Sequence, residues 1–347
     1  FFFAMEHSSF HAASVGLRRC KAKNVFRSDR RDRRHRAAGI SRADHLTMKR
    51  DCFSAFFCYS LRVPEPSLLI LIPAYNEEAR IEPVLREYAH FFKAHYAGTC
   101  QIVVVLNGCT DQTLAVVQRV SAEFPTVQPL EFREAIGKGG ALIEGLKLAP
   151  LADVIGYVDA DGASSPKALL ALIRHLGQAD CVIGSRWLHD SVLHQAQPRL
   201  RQIVSRCFHL IVELLFWMHI KDTQCPCKVM RRSAVTKIHS SLCIADLAFD
   251  VNLLVAMKRA GFRVLEVPTE WTDKVGSKVT ASLFRASMTM FLSVIRVRLI
   301  YSPFYPMLRP MRTLEAWIYA KLRAPRPLSS REREKRDLPA GTSNSKR

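Results

Sequence analysis

Between residues 67 and 185, continuous apolar runs alternate with segments of helical period, and that rhythm constrains the fold more tightly than any single motif. The runs in "SLLILIPAYNE", "QIVVVLNGCTD", "DVIGYVDADG" and "ADCVIGSR" are apolar on both faces, as strands covered from both sides are. Helical stretches separate them: "EARIEPVLREYAHFFKAHY", periodic despite Pro83, then "QTLAVVQRVSAEF", then "IGKGGALIEGLKLA" after the short "VQPLEFRE", then "SPKALLALIRHL" with Ser165 as cap and Pro166 in its first turn. Strands alternating with helices predict an α/β fold whose sheet is mostly parallel and flanked by helices. In such a sheet the ligand lies beyond the carboxyl ends of the strands. The turns at those ends carry Asn76, Glu77, Asn107, Asp111, Asp159, Asp161 and Arg186.

The third of these turns, in "ADVIGYVDADGASSP", holds two aspartates one residue apart. At a strand end Asp159 and Asp161 point the same way while Ala160 points back. No basic residue is close in sequence, so the pair repels unless a cation lies between them. Hard divalent ions such as Mg²⁺ or Mn²⁺ favour such oxygen donors, completed by water and substrate phosphates. The tripeptide alone reads equally well as an Asp-Gly turn without metal. Polar groups converging from turns far apart in sequence favour metal-bound phosphate chemistry.

The formal charge of +20 invites a nucleic-acid reading, but its location does not support one. Residues 1–50 carry 13 Lys and Arg against 4 Asp and Glu, residues 51–308 carry 27 against 23, and residues 309–347 carry 11 against 4. The basicity belongs to the tails, which attract polyanions without specifying which. None of the usual nucleic-acid-binding modules is present, so no specific nucleic-acid partner is expected. Residues 1–60 read as a basic, disordered leader without the apolar core of a signal peptide, with Met48 the favoured start. Residues 61–308 form one domain and 309–347 a basic tail, partly helical and then disordered. The ten cysteines, with Cys225 and Cys227 the closest pair, read as reduced and mostly buried thiols.

No run of eighteen uninterrupted apolar residues occurs, so no conventional transmembrane helix is expected. "CFHLIVELLFWMHI", broken by Glu213, and residues 282–308, carrying Arg285, Arg296 and Arg298, suit either amphipathic membrane-interface helices or helices covering a soluble core. The second half also offers the polar turn "KDTQCPCKVMRR", a helix in "AFDVNLLVAMKRAGF" ended by Gly261, the strand "RVLEVPTEW" and the loop "TDKVGSKVT".

Taken in order, "IPAYNEE", "GKGGALIEGL", "VDADGA", "GSR", "DTQCPCK", "AFDVNLL" and "EVPTEWTDKVGSK" resemble the family-two glycosyltransferases of the GT-A fold over residues 67–300. The likeness is greatest to the dolichyl-phosphate β-glucosyltransferases, with dolichyl-phosphate mannose synthases as relatives. It implies a Rossmann-like sheet and inverting transfer of a sugar from a nucleotide sugar, UDP-glucose by preference, to a polyprenyl phosphate, dolichyl or undecaprenyl. It further implies a membrane-associated enzyme at a lipid surface with its site facing the cytoplasm. Alternatives are a mannosyl or other donor, a glycan acceptor, or a non-catalytic basic protein of the membrane surface.

By this resemblance Asp159 and Asp161 hold Mg²⁺ or Mn²⁺ against the diphosphate. Pro73, Ala74, Tyr75, Asn76 and Glu77 border the nucleotide, with Glu77 in direct contact, and Lys138, Gly139 and Ala160 join them. Where relatives carry two aspartates after the second strand, this chain has Leu106 and Asn107, whose amide can still meet a base edge. "GKGG" is not a P-loop, since half of that pattern is missing. Arg186, Arg201, Arg206 and Lys278 suit the acceptor phosphate, and Asp250 stands as base or orienting group. In "DTQCPCK", Pro226 and Cys227 replace the usual Gly-Phe, and the loop is expected to face the acceptor with Asp222, Thr223, Gln224 and Lys228.

Overall fold

The computed structural model describes residues 65–193, 199–272 and 283–303; the side chains of 193–203 and 283–287 lie outside that description. The expectations for the leader, the start at Met48, the loop containing Lys278 and the C-terminal tail also fall outside it. The chain divides into two units, 1–62 and 63–347, and only the second is described.

Its sheet has seven strands in the order β3-β2-β1-β4-β7-β5-β8: β1 Leu68–Ala74, β2 Cys100–Asn107, β3 Val127–Phe132, β4 Val154–Tyr157, β5 Cys181–Ser185, β7 Lys228–Arg231 and β8 Val264–Pro268. All neighbours pair in parallel except β7, which runs antiparallel to both β4 and β5. The short strands β6, Val192–Leu193, and β9, Glu270–Trp271, form a separate parallel pair. β3 lies at the sheet edge, where Pro129 costs no central ladder bond.

Alternate residues of β1 serve two cores. Leu68, Ile70 and Ile72 meet Tyr88 and Phe92 of α1 (Ile81–His95), Val117 and Val120 of α2 (Thr113–Glu123) and Leu169 and Leu172 of α4 (Pro166–His175). Leu69 and Leu71 meet Leu142 of α3 (Lys138–Gly145), Leu253 and Met257 of α7 (Phe249–Arg259) and Val294 and Val297 of α8 (Leu283–Ile300). Two-sided burial explains the uninterrupted apolar runs of β1 and β2. Pro83 falls in the first turn of α1, where its missing N–H is harmless. The Ser165 hydroxyl accepts from the Ala168 amide at 3.2 Å, so it caps α4 as its sequence predicts.

Two expectations change. The stretch read as a polar turn contains β7, inserted between β4 and β5, so the sheet is mixed. The thiols, expected to be mostly buried, are mixed among the described residues: Cys181, Cys225 and Cys227 are core residues, Cys100 and Cys109 are half-buried, and Cys207 and Cys243 are exposed. The helix expected in "CFHLIVELLFWMHI" begins earlier and ends sooner, as α5, Arg199–Phe216, and α6 covers Arg232–Ile238. No helix among the described residues is long and apolar enough to cross a membrane.

Candidate active site

The carboxyl ends of β1 and β2 are locked together by side chains. Asn76, in the left-handed region at φ 54°, accepts from the Thr110 amide at 2.8 Å. Glu77 donates its amide to the Thr113 hydroxyl at 2.8 Å, and the Gln112 amide donates to Glu78 at 2.8 Å. The Glu77 carboxylate takes a two-bond fork from Arg80, both bonds at 2.8 Å. Glu77, expected against the nucleotide, is therefore engaged with a basic partner that the motif reading missed. Pro73 and the buried Ala74 close β1, and Tyr75 stands exposed beyond it.

Asn107 is buried at the end of β2, where its Oδ1 accepts from the Ile136 and Gly137 amides at 2.7 and 3.1 Å. The amide oxygen is thus spent holding the glycine-rich loop in place. Gly137 then takes φ 81°, which favours glycine, and Lys138 opens α3. A Cβ on Gly139 would lie 2.4 Å from the Ile244 carbonyl oxygen. Its bareness serves packing against the 244–249 segment, which differs from the ligand approach expected for it.

Asp159 and Asp161 lie in the turn after β4, beyond the last regular strand residue, Tyr157. Asp161 Oδ1 accepts from the Ala163 amide at 2.9 Å, and Ala160 between the two aspartates is buried. Burial lifts the Asp161 carboxyl above the usual carboxylate range and the Asp159 charge adds to it, against the opposing pull of the Ala163 amide, Lys138 and Arg80. The cation absent from the local sequence comes from α3: Lys138 Nζ lies 2.6 Å from Asp159 Oδ1. Burial works to lower the Lys138 pKa, but the Asp159 and Asp250 carboxylates outweigh it and the net shift is upward. No cluster of three or more His, Cys, Asp or Glu residues that could hold a metal assembles among the described residues. Two carboxylates from one turn nevertheless fit Mg²⁺ or Mn²⁺, which take hard oxygen donors and complete their shell with water and phosphate.

Beneath this turn lies a buried cluster. Asp250, in the first turn of α7, is 3% exposed, and its Oδ1 accepts from the Tyr157 hydroxyl and from Lys228 Nζ, the latter at 2.5 Å. Lys228 is fully buried and also donates to the Thr223 carbonyl at 3.2 Å and to the Cys225 carbonyl. Lys228 was expected to face the acceptor; it points into the core instead, because β7 brings it beside Tyr157. Burial, and then the Asp250 charge, push the Tyr157 phenol well above its ordinary range. No second hydrogen bond joins Asp250 Oδ2 to a described residue.

Arg186 follows β5 and forks onto Asp222, with Nε 2.7 Å from Oδ2 and Nη2 2.9 Å from Oδ1, while its backbone amide donates to Oδ2 at 2.9 Å. Its guanidinium stacks 5.0 Å from the Trp271 ring centre. Burial pushes Asp222 up, but the Arg186 hydrogen bonds and charge more than reverse this and hold its carboxyl below the usual range. Arg201 falls in the first turns of α5 with its side chain outside the description, and Arg206 is exposed on the same helix. No ion pair among the described residues joins Arg206 to the carboxylates. Glu77, Asp159, Asp222 and Asp250 are each matched by one base, namely Arg80, Lys138, Arg186 and Lys228. Asp161 makes no ion pair among the described residues.

Two clusters of polar turns at the carboxyl edge of a helix-flanked sheet define the class, and the family comparison agrees: a model described as "Glycosyl transferase family 2" matches residues 69–238. The chain belongs to glycosyltransferase family 2. It is 32% identical over 248 residues to the dolichyl-phosphate beta-glucosyltransferase of Drosophila melanogaster, covering 68% of this chain and 76% of that protein. It is 30% identical over 230 residues to glycosyltransferase AglD of Haloferax volcanii, covering 65% of this chain but only 36% of that one. Among solved structures it resembles glucosyl-3-phosphoglycerate synthase of Mycobacterium tuberculosis, determined with Mn²⁺, UDP and glucosyl-3-phosphoglycerate. The TM-score is 0.52 at 16% identity, over 67% of this chain and 80% of that one, a likeness of fold alone.

Proposed function

We propose that this family-two enzyme transfers glucose from UDP-glucose, with inversion, to the phosphate of a polyprenol. The observation that carries the reading is the Asp159-Ala160-Asp161 turn at the carboxyl edge of the sheet, with its second carboxylate making no ion pair among the described residues. Similarity to dolichyl-phosphate beta-glucosyltransferases supplies the substrate class.

When bound by Asp159 and Asp161, Mg²⁺ or Mn²⁺ would supply Lewis-acid stabilisation of the departing diphosphate. The chain's own groups do the rest. The 73–77 turn borders the nucleotide, and Asn107 fixes the loop that delivers Lys138. A phosphate oxygen of the acceptor forms the new bond to the anomeric carbon, the bond to the diphosphate oxygen breaks, and UDP leaves with that electron pair. A phosphate nucleophile needs orientation more than a strong base. Tyr157 and Lys228 occupy Asp250 Oδ1, which leaves Oδ2 to orient the acceptor or take the proton of its monoanion. Arg186, committed to Asp222, offers only its remaining N–H groups, so Arg201, Arg206 and Lys278 carry more of the acceptor phosphate in this reading.

The test is transfer of label from UDP-glucose into an organic phase by the full chain with polyprenyl phosphate and Mn²⁺. Asp161→Ala should lose about two orders of magnitude or more, the scale typical for removing one electrostatic stabiliser. Transfer that persists in the variant or in chelator would overturn the assignment. One observation bears on a second reading with another donor: Asn107 Oδ1 is already satisfied by loop amides, so this side chain can meet a base only by donating from Nδ2. Competition by unlabelled nucleotide sugars separates the two.

A further inference from the structure

We propose that Lys138 is a placeholder cation: it holds Asp159 while the site is empty of donor and releases it only when a nucleoside diphosphate arrives with its divalent ion. The inference rests on the donor reading above and concerns how the metal enters.

Among the carboxylates of this edge, the ion pairs differ in accessibility. Asp222 and Asp250 are buried, the first taking three bonds from Arg186 and the second one each from Tyr157 and the fully buried Lys228, so neither pair exchanges readily. The Lys138 and Asp159 side chains are 26% and 28% exposed and meet through one contact, at 2.6 Å, on Asp159 Oδ1. A divalent ion arriving alone must displace the ammonium from that oxygen and leave Lys138 beside it, a repulsive arrangement. Of the two aspartates in this turn, Asp161 makes no ion pair among the described residues, and no third carboxylate or imidazole completes a metal cluster there. One carboxylate is a poor site for a strongly hydrated ion.

An ion bound to a diphosphate changes both sides of that balance. The diphosphate brings oxygen ligands to the metal and offers the Lys138 ammonium a new anion in place of Asp159. The exchange then conserves contacts: the pair between Lys138 and Asp159 is replaced by Asp159 on the metal and Lys138 on phosphate. The backbone of Lys138 need not move, since Asn107 fixes the two residues before it. Metal and nucleotide affinities should consequently be coupled, each raising the other by the same factor.

The experiment is Mn²⁺ binding to the full chain, read from the free-ion EPR signal with and without UDP and corrected for Mn²⁺ held by UDP in solution. The wild type should bind Mn²⁺ weakly alone and about tenfold or more tightly with UDP, within the usual range of coupling. Lys138→Gln should tighten binding of Mn²⁺ alone by about tenfold and shrink the coupling, as expected when a competing cation is removed. Lys138→Arg, which keeps the charge, should stay near wild type, and Asp161→Asn should bind no Mn²⁺ in either condition. If Lys138→Gln binds Mn²⁺ alone no better while UDP coupling persists, the placeholder idea falls and the donor reading stands. Absence of UDP-dependent Mn²⁺ binding in the wild type would overturn both.

Discussion

Lys228 has no contact with water, and two carbonyls and the Asp250 carboxylate satisfy its ammonium in place of solvent. Such a pair adds little over a well-packed apolar alternative, but breaking it from one side strands a buried charge. Lys228→Met should cost about 3–5 kcal/mol in urea unfolding. The double variant with Asp250→Asn should recover part of that loss, because the uncompensated carboxylate is gone. Equal losses in the single and double variants would show that packing, not charge, dominates. The sequence discloses Asp159, Asp161 and Asp250 through contiguous motifs, yet not this arrangement. A lysine next to "CPC" reads as facing the acceptor because its partner lies 22 residues away, and burial of a cation has no local signature. Pairing of Lys138 with Asp159 was hidden for the same reason, since each stands in a motif with its own separate explanation.

At the scale of elements, β7 is the part of the fold least visible in sequence. It has four residues, Lys228–Arg231, with charge at both ends and only Val229 and Met230 between them, too short for alternation to register. The long runs of β1 and β2 and the capped helix α4 were plain by comparison, each being determined by its own residues. What β7 does is separate β4 from β5 and thereby place the Arg186 turn away from the Asp159 turn. That turn is stapled by Asp222, whose amide in turn donates to Glu266 at 2.9 Å. Since the folded Asp222 carboxyl is held below its unfolded value, the staple contributes in full above the ordinary carboxylate range. Its contribution is lost as pH falls through the depressed folded value. Urea unfolding between about pH 6 and pH 2 should show this part of the stability falling with acid. Arg186→Gln should be less stable at neutral pH and should lose less on acidification; parallel curves for the two proteins would exclude the staple as the cause.

The whole molecule shows an apolar surface that a soluble core does not require. Along α5, Leu210 and Leu214 are 58% and 65% exposed, and Trp217 just beyond the helix is 73% exposed, a spacing of four and three residues that makes one stripe. Trp217 sits at φ 50°, a conformation that costs a bulky residue about 1–3 kcal/mol. Its indole donates to the Leu214 carbonyl at 3.1 Å, and the Glu213 carboxylate pins the following turn by accepting from the His219 amide at 3.0 Å. Beside the stripe, a cavity of about 330 Å³ is lined by Phe216, Tyr301, Lys258, Arg259 and Arg298, a mixture of apolar and cationic side chains. In the proposed reading a polyprenyl acceptor would be met at such a surface, and the basic residues of 1–50 and 309–347 would add attraction to anionic lipid. The full chain should therefore float with anionic vesicles at low salt and less so at high salt. Paired replacement Leu214→Ser and Trp217→Ser should reduce flotation beyond what salt alone achieves. Trp217→Gly separates surface from strain: at a left-handed position it should leave stability equal or higher, since glycine adopts that φ freely, while flotation falls. If all three proteins float alike, the tails alone hold the lipid and the α5 stripe has another partner.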